Sequence, residues 1–286
     1  IKAGRNTGLF YTKSIMEILN QTDFLVLIIL AGSLAGVLAG LLGVGGGIVI
    51  VPLLYYVLNF LEFDQSIIMH VAVATSLFII IPTSIRSSIE HRVRGSFDKN
   101  VFKLWLIPLA FGAGLGSVLA IYSSFMVLTL LFAVIASFVS IQMFFVKRDS
   151  NKNFTIPKSI FRISPFFIGL ISAMMGIGGG TLSVPIMNYS GIEIKKAVGT
   201  SAAFGTVIAI PASLGFMLGG LQQTDILPPF SIGYVNWMAF LLIVPITLIT
   251  VPIGVNLAHR SSQFLLQKLF ALFLGVTALR MFSDLI

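Results

Sequence analysis

Two stretches of this chain, Phe24 to Leu42 and Val235 to Val251, carry no formal charge and reach the roughly 17 to 25 residues that a bilayer-spanning helix requires. A water-soluble fold has no place to hide such runs. Of the 286 residues, 57% are hydrophobic and 10% charged, against about 25% charged in a soluble domain. The chain therefore reads as an all-α polytopic membrane protein whose first partner is the lipid bilayer.

Cutting at charges and turn residues gives ten apolar segments, at 24–42, 48–60, 66–85, 101–121, 125–146, 161–175, 181–191, 197–219, 234–257 and 264–282. The second and seventh are too short to cross a core of about 30 Å at about 1.5 Å per residue, so they are expected as tilted, partial or re-entrant helices.

The ten segments form two sets of five. Gly43-Val-Gly-Gly-Gly-Ile-Val-Ile-Val-Pro52 is answered by Gly176-Ile-Gly-Gly-Gly-Thr-Leu-Ser-Val-Pro185. Each copy continues with an Ala-x-x-Thr-Ser element, Ala72 to Ser76 and Ala197 to Ser201, and then a proline, Pro82 or Pro211. Further on, Gly95, Gly116, Ala120, Phe132 and Met143 recur at one offset as Gly233, Gly254, Ala258, Phe270 and Met281. The expected organisation is an N-terminal extension at 1–23, a first repeat at 24–146, a basic linker at 147–160 and a second repeat at 161–286. Residues 1–21 lack the basic start, apolar core and cleavage site of a secretory signal.

If all ten segments cross, the loops after segments three, five, seven and nine share one side and hold Arg86, Arg92, Arg94, Lys99, Lys103, Lys147, Arg148, Lys152, Lys158, Arg162, Lys195, Lys196, Arg260 and Lys268. The loops after two, four, six and eight hold no Lys or Arg. The basic side is cytoplasmic by the positive-inside rule. Corresponding loops then differ in charge between the halves, as inverted-topology repeats require. Lys2, Arg5 and Lys13 run against this assignment. The net charge of +8 orients the chain in the membrane and does not indicate nucleic acid, because the basic residues lie in short loops.

The two breaks, Gly45, Gly46 and Gly47 in one half and Gly178, Gly179 and Gly180 in the other, are the leading candidates for a binding site. A helix starting there presents unpaired N–H groups and the positive end of its dipole, and glycine lets an anion approach the backbone. The plainer reading is that they allow tight turns and packing, as Gly32, Gly36 and Gly40 or Gly112 and Gly116 do at four-residue spacing. A pair of breaks at equivalent positions favours a transporter's binding site. Thr75, Ser76, Thr200 and Ser201 could donate hydroxyls to an anion, or bond back to their own helices. His70, matched in position by Lys195, is an accessory candidate for proton or anion handling, or else an interfacial residue. Arg280, matched by Gln142, could draw an anion to the outer mouth, or snorkel to the interface.

No carboxylate falls mid-segment, and no Cys, His-x-x-x-His spacing or phosphate-binding Gly-Lys-Ser/Thr loop occurs. No metal or other cofactor is expected, nor an enzymatic activity.

With its two Gly-x-Gly-Gly-Gly stretches, each followed by an apolar run and Pro, and its two Ala-x-x-Thr-Ser elements, the chain resembles the sulfite exporter TauE/SafE family across nearly all of 24–286. The resemblance implies a secondary transporter of small sulfur-containing anions such as sulfite, thiosulfate, sulfoacetate or other organosulfonates. It carries Gly45, Gly46, Gly47, Thr75 and Ser76, with Gly178, Gly179, Gly180, Thr200 and Ser201, onto the family's repeated elements. It leaves the anion, the direction and the oligomeric state open. Export by alternating access is the expectation; an anion channel, or a polytopic membrane enzyme or anchoring subunit, are the rivals.

Overall fold

The computed structural model describes residues 22–43, 45–145, 157–223, 225–260 and 263–285. The expected N-terminal extension up to residue 21, the last residue of the expected first repeat at 146, and 147–156 of the linker lie outside the described residues. Among those described, ten helices run in chain order: α1 Thr22–Leu42, α2 Gly47–Phe60, α3 Gln65–Val93, α4 Lys99–Ile121, α5 Phe125–Phe145, α6 Lys158–Met175, α7 Gly180–Tyr189, α8 Ile194–Gly219, α9 Trp237–Arg260 and α10 Gln263–Ser283. A two-residue antiparallel ribbon, β1 Ser231–Ile232 with β2 Val235–Asn236, precedes α9, and Ser231 pairs with Asn236.

Helices α3, α4, α5, α6, α8 and α9 are long and apolar enough to cross a membrane. With 14 and 10 residues, α2 and α7 reach about 21 and 15 Å, short of a core of about 30 Å. Large apolar side chains also point outward, Ile107 at 75% and Ile249 at 73% exposure, a surface that suits lipid rather than water.

Cutting at charges misplaced some helix ends. Segment three was expected to stop at residue 85, yet α3 continues to Val93 and carries Arg86, Glu90 and Arg92; Arg86 pairs with Glu90 at 2.9 Å one turn on. Helix α6 likewise starts at Lys158, inside the expected linker. A charge marks where the apolar medium ends, but the backbone stays helical beyond it because side chains reach the interface.

The halves exchange partners. Helix α4 lies along α6 while α9 lies along α1, so the fourth helix of each half packs on the first helix of the other; α3 packs on α8 and α5 on α10. Small residues make the exchanged contacts close. A Cβ on Gly112 or Gly116 would run into the backbone of Phe166 or Leu170 of α6, and one on Gly36 or Gly40 into Thr247 or Val251 of α9. These glycines are packing residues, and they let backbones approach where no hydrophobic effect drives helices together. Trp105 of α4, fully buried, fills the space between Phe161 of α6 and Phe204 of α8 at 4.9 and 5.4 Å.

Candidate functional site

Helix α1 ends at Leu42, and Gly43, Gly45 and Gly46 all have positive φ, from +66° to +82°, a region that L side chains enter at a cost. Helix α6 ends on Gly176 in the same left-handed conformation, φ +70°. The second break is less bent, since its N-cap Gly179 is at φ −58°.

The breaks meet. A Cβ on Gly47 would collide with the carbonyl of Gly176, and one on Gly43 with the carbonyl of Val198 in α8. The Ser76 hydroxyl donates to the Gly176 carbonyl at 2.8 Å. In the other half, Ser201 donates to the Val198 carbonyl at 2.7 Å and reaches the Gly43 carbonyl at 3.4 Å. A serine hydroxyl has one proton to donate: Ser76 spends its proton on the bend of the opposite half, whereas Ser201 spends its mainly on its own helix and only touches the Gly43 bend.

Thr75 and Thr200 serve a different joint. Thr75 Oγ1 accepts from the Asn236 N–H at 2.9 Å, and Thr200 Oγ1 accepts from the Asp98 N–H at 2.9 Å. Asp98 caps α4 through the N–H groups of Asn100 and Val101, and Asn236 accepts from the N–H of Ala239 in the first turn of α9. The threonines thus fix where the fourth helix of each half begins. All ten glycine, threonine and serine candidates are buried.

His70 and Arg280 lie apart from the breaks. His70 is buried at 5% exposure; its ring nitrogens face the carbonyls of Ser66 and Ala120 at 3.1 Å each, and the ring stacks on Tyr234 at 5.0 Å. Burial pushes the Tyr234 hydroxyl up, so it stays neutral. Arg280 sits over the Tyr56 ring at 5.2 Å, nine residues along α2 from Gly47, beside the Tyr55 hydroxyl that donates to Asp284 at 3.1 Å.

Helix starts differ in a telling way. Asp64 accepts from Ser66, whose hydrogen bonds hold its carboxyl below the usual range, and Asp98 caps α4. Neither α2 nor α7 has a side-chain cap, and neither do α6 and α8. The starts of α2 and α7 are the ones that lie at the breaks, where an acceptor from outside the helix would meet the positive end of the dipole.

Several residues near the breaks escaped the sequence reading. Thr83 donates within a shared contact to the carbonyls of Gly45, Ile79 and Ile80. The Ser84 hydroxyl, fully buried between Gly45 and Gly205, has no hydrogen-bond partner, and neither do the hydroxyls of Ser172 and Ser183 around the second break. Unspent buried donors are costly, and these flank both uncapped starts. The signal available was the Pro82-Thr-Ser triplet, which repeats the hydroxyl pair two turns after Thr75-Ser76. Among the described residues no group of three His, Asp or Glu is placed to hold a metal.

The chain is similar to proteins that cover nearly its whole length. The model of the family described as Sulfite exporter TauE/SafE matches residues 28–281. A probable membrane transporter protein of Haemophilus influenzae is 32% identical over 262 residues, 91% of this chain and 98% of the relative. Another from Methanocaldococcus jannaschii is 26% identical over 276 residues, 93% and 99% of the two chains. An Arabidopsis thaliana protein named Sulfite exporter TauE/SafE family protein 5 is 33% identical over 116 residues, 40% of this chain and 23% of that one. No solved structure matches the chain.

Proposed function

The chain belongs to the sulfite exporter TauE/SafE family, and from that premise we propose that it carries small sulfur-containing anions such as sulfite, thiosulfate, sulfoacetate or other organosulfonates across the cytoplasmic membrane by alternating access, in the direction of export. That it is a membrane transporter of the TauE/SafE type follows from the family and from its membrane-spanning helices.

The observation that carries the proposal is the reciprocal hold of the breaks, Ser76 on Gly176 and Ser201 near Gly43. Two uncapped helix starts from opposite halves, with buried hydroxyls spare at Ser84, Ser172 and Ser183, form an anion seat without a charged side chain. The exchanged packing of first and fourth helices agrees with inverted repeats about a shared centre. The ten candidates, Gly45, Gly46, Gly47, Thr75, Ser76, Gly178, Gly179, Gly180, Thr200 and Ser201, take two roles in this reading: the glycines and serines meet the anion as the breaks part, and the threonines keep the helix starts in register. Nothing in this scheme calls for bond breaking, so the protein acts as a carrier and not as an enzyme.

Export needs no coupling ion, since a monovalent anion leaving an inside-negative cell gains about 2.3 kcal/mol per 100 mV. The test is efflux from proteoliposomes across a panel of sulfur oxyanions and sulfonates, with the potential set by an ionophore. Saturable efflux that speeds up with an inside-negative potential is expected. Currents far above about a thousand ions per second would indicate a channel instead, and the absence of flux for every anion would end the proposal.

A further inference from the structure

At the arginine-bearing end of α3, two histidines that the sequence reading passed over come together. His91 is 1% exposed, and its Nε2 lies 2.7 Å from the carbonyl of Gly40, three residues before the first break. Its Nδ1 lies 3.4 Å from Nε2 of His259 in α9, with ring centroids 5.5 Å apart. Both rings line a water-sized, partly open cleft with Lys195, Ile194, Val198 and Ala258.

The protons can be assigned from the partners. A carbonyl only accepts, so His91 Nε2 carries hydrogen and Nδ1 of the neutral ring offers its lone pair. His259 Nε2 must then donate to it, and His259 Nδ1 is the nitrogen that can take one more proton. An added proton can pass along the His259-to-His91 contact, so the charge belongs to the pair. A second is excluded, because two imidazolium rings would then face each other N–H to N–H at 3.4 Å.

The charged groups facing the pair are Arg94, which follows α3, and Lys195 of α8. Glu90 is committed to Arg86 and Arg94 at 2.9 and 3.6 Å. A proton on the pair therefore adds positive charge to a cationic corner, and an anion at the opening of the cleft offsets it. The cleft also adjoins the first break: Val198 lines it and holds Ser201, a Cβ on Gly43 would touch the same Val198 carbonyl, and His91 grips Gly40.

We propose that His91, His259 and Lys195 form a loading site at the mouth of the first break, which takes up a small monovalent or divalent oxyanion together with one proton. The proposal builds on the transport reading and adds to it a point of entry and a pH dependence. Because binding is reciprocal, the anion favours the proton as much as the proton favours the anion. Acidification on the side of the cleft then strengthens anion binding.

Isothermal titration of the purified chain with methanesulfonate and with thiosulfate, both of which keep a fixed charge between about pH 5.5 and pH 8, tests this in buffers of different ionisation enthalpy. Uptake approaching one proton per anion is expected, and the affinity should rise by up to roughly tenfold per pH unit as the pair takes its proton. In His259→Gln, whose amide still donates to His91, binding should persist with no proton uptake and no pH dependence; Lys195→Gln should weaken binding at every pH. Binding without proton uptake in the unsubstituted chain, undiminished uptake in His259→Gln, or binding of neither anion would each overturn the loading site. Efflux in proteoliposomes decides the transport reading separately, so the two can fail independently.

Discussion

The hydroxyl of Ser76 donates to the carbonyl of Gly176 at 2.8 Å, joining the centre of α3 to the bend that ends α6, one hundred residues further along the chain. The matching serine, Ser201, is placed more loosely, 3.4 Å from Gly43 with its firmer bond to Val198 in its own helix. The two halves thus hold each other's breaks with unequal grips.

That inequality gives the first prediction. Ser76→Ala leaves a buried carbonyl unpaired and should cost about 1–3 kcal/mol, whereas Ser201→Ala loses mainly a bond within its own helix and should cost about 0.5–1.5 kcal/mol. Unfolding of the detergent-solubilised protein by denaturant titration measures both. Equal losses would mean that the cross-half bond adds nothing.

The threonines should behave as structural joints. Thr75→Val keeps the shape and removes the acceptor for the Asn236 N–H, at about 1–3 kcal/mol, and Thr75→Ser should recover most of it. The same pair of changes at Thr200 should do likewise through Asp98. Full stability in Thr75→Val together with weaker anion binding would instead make this hydroxyl a direct ligand.

Much of this arrangement was open to a reader of the sequence, and its limits have physical causes. Uncharged runs, short second and seventh segments and duplicated glycine breaks are local patterns, and all appear where expected. The helix ends near Arg86 and Lys158 were not, because charge marks the membrane boundary while hydrogen bonding decides where the helix stops. The partners of Ser76 and Thr75 lie 100 and 161 residues away, beyond any local pattern. His91 sits between Glu90 and Arg92, a context that reads as a solvated loop, yet extension of α3 turns it inward to Gly40. Ser84 was missed because only the approach of Gly45 and Gly205 makes it a buried donor without a partner.

Glycine spacing in α4 separates packing from exposure. Gly112 and Gly116 press on α6, whereas a Cβ on Gly114 would meet nothing within 4 Å. Gly112→Val or Gly116→Val should destabilise the protein by about 1–3 kcal/mol or more through overpacking, and Gly114→Val should leave it close to unchanged. Melting temperature in detergent compares the three. A loss at Gly114 as large as at Gly112 would contradict the packing of α4 on α6.

The central claim, that the two breaks form one anion seat, is tested most directly by sulfite efflux from proteoliposomes at a fixed inside-negative potential. Gly46→Val and Gly179→Val are each compared with Gly114→Val and the unsubstituted chain, after size-exclusion chromatography has shown every variant to be folded and monodisperse. Loss of efflux in both break variants, with normal efflux in Gly114→Val, is predicted; normal efflux through either folded break variant would contradict a shared seat.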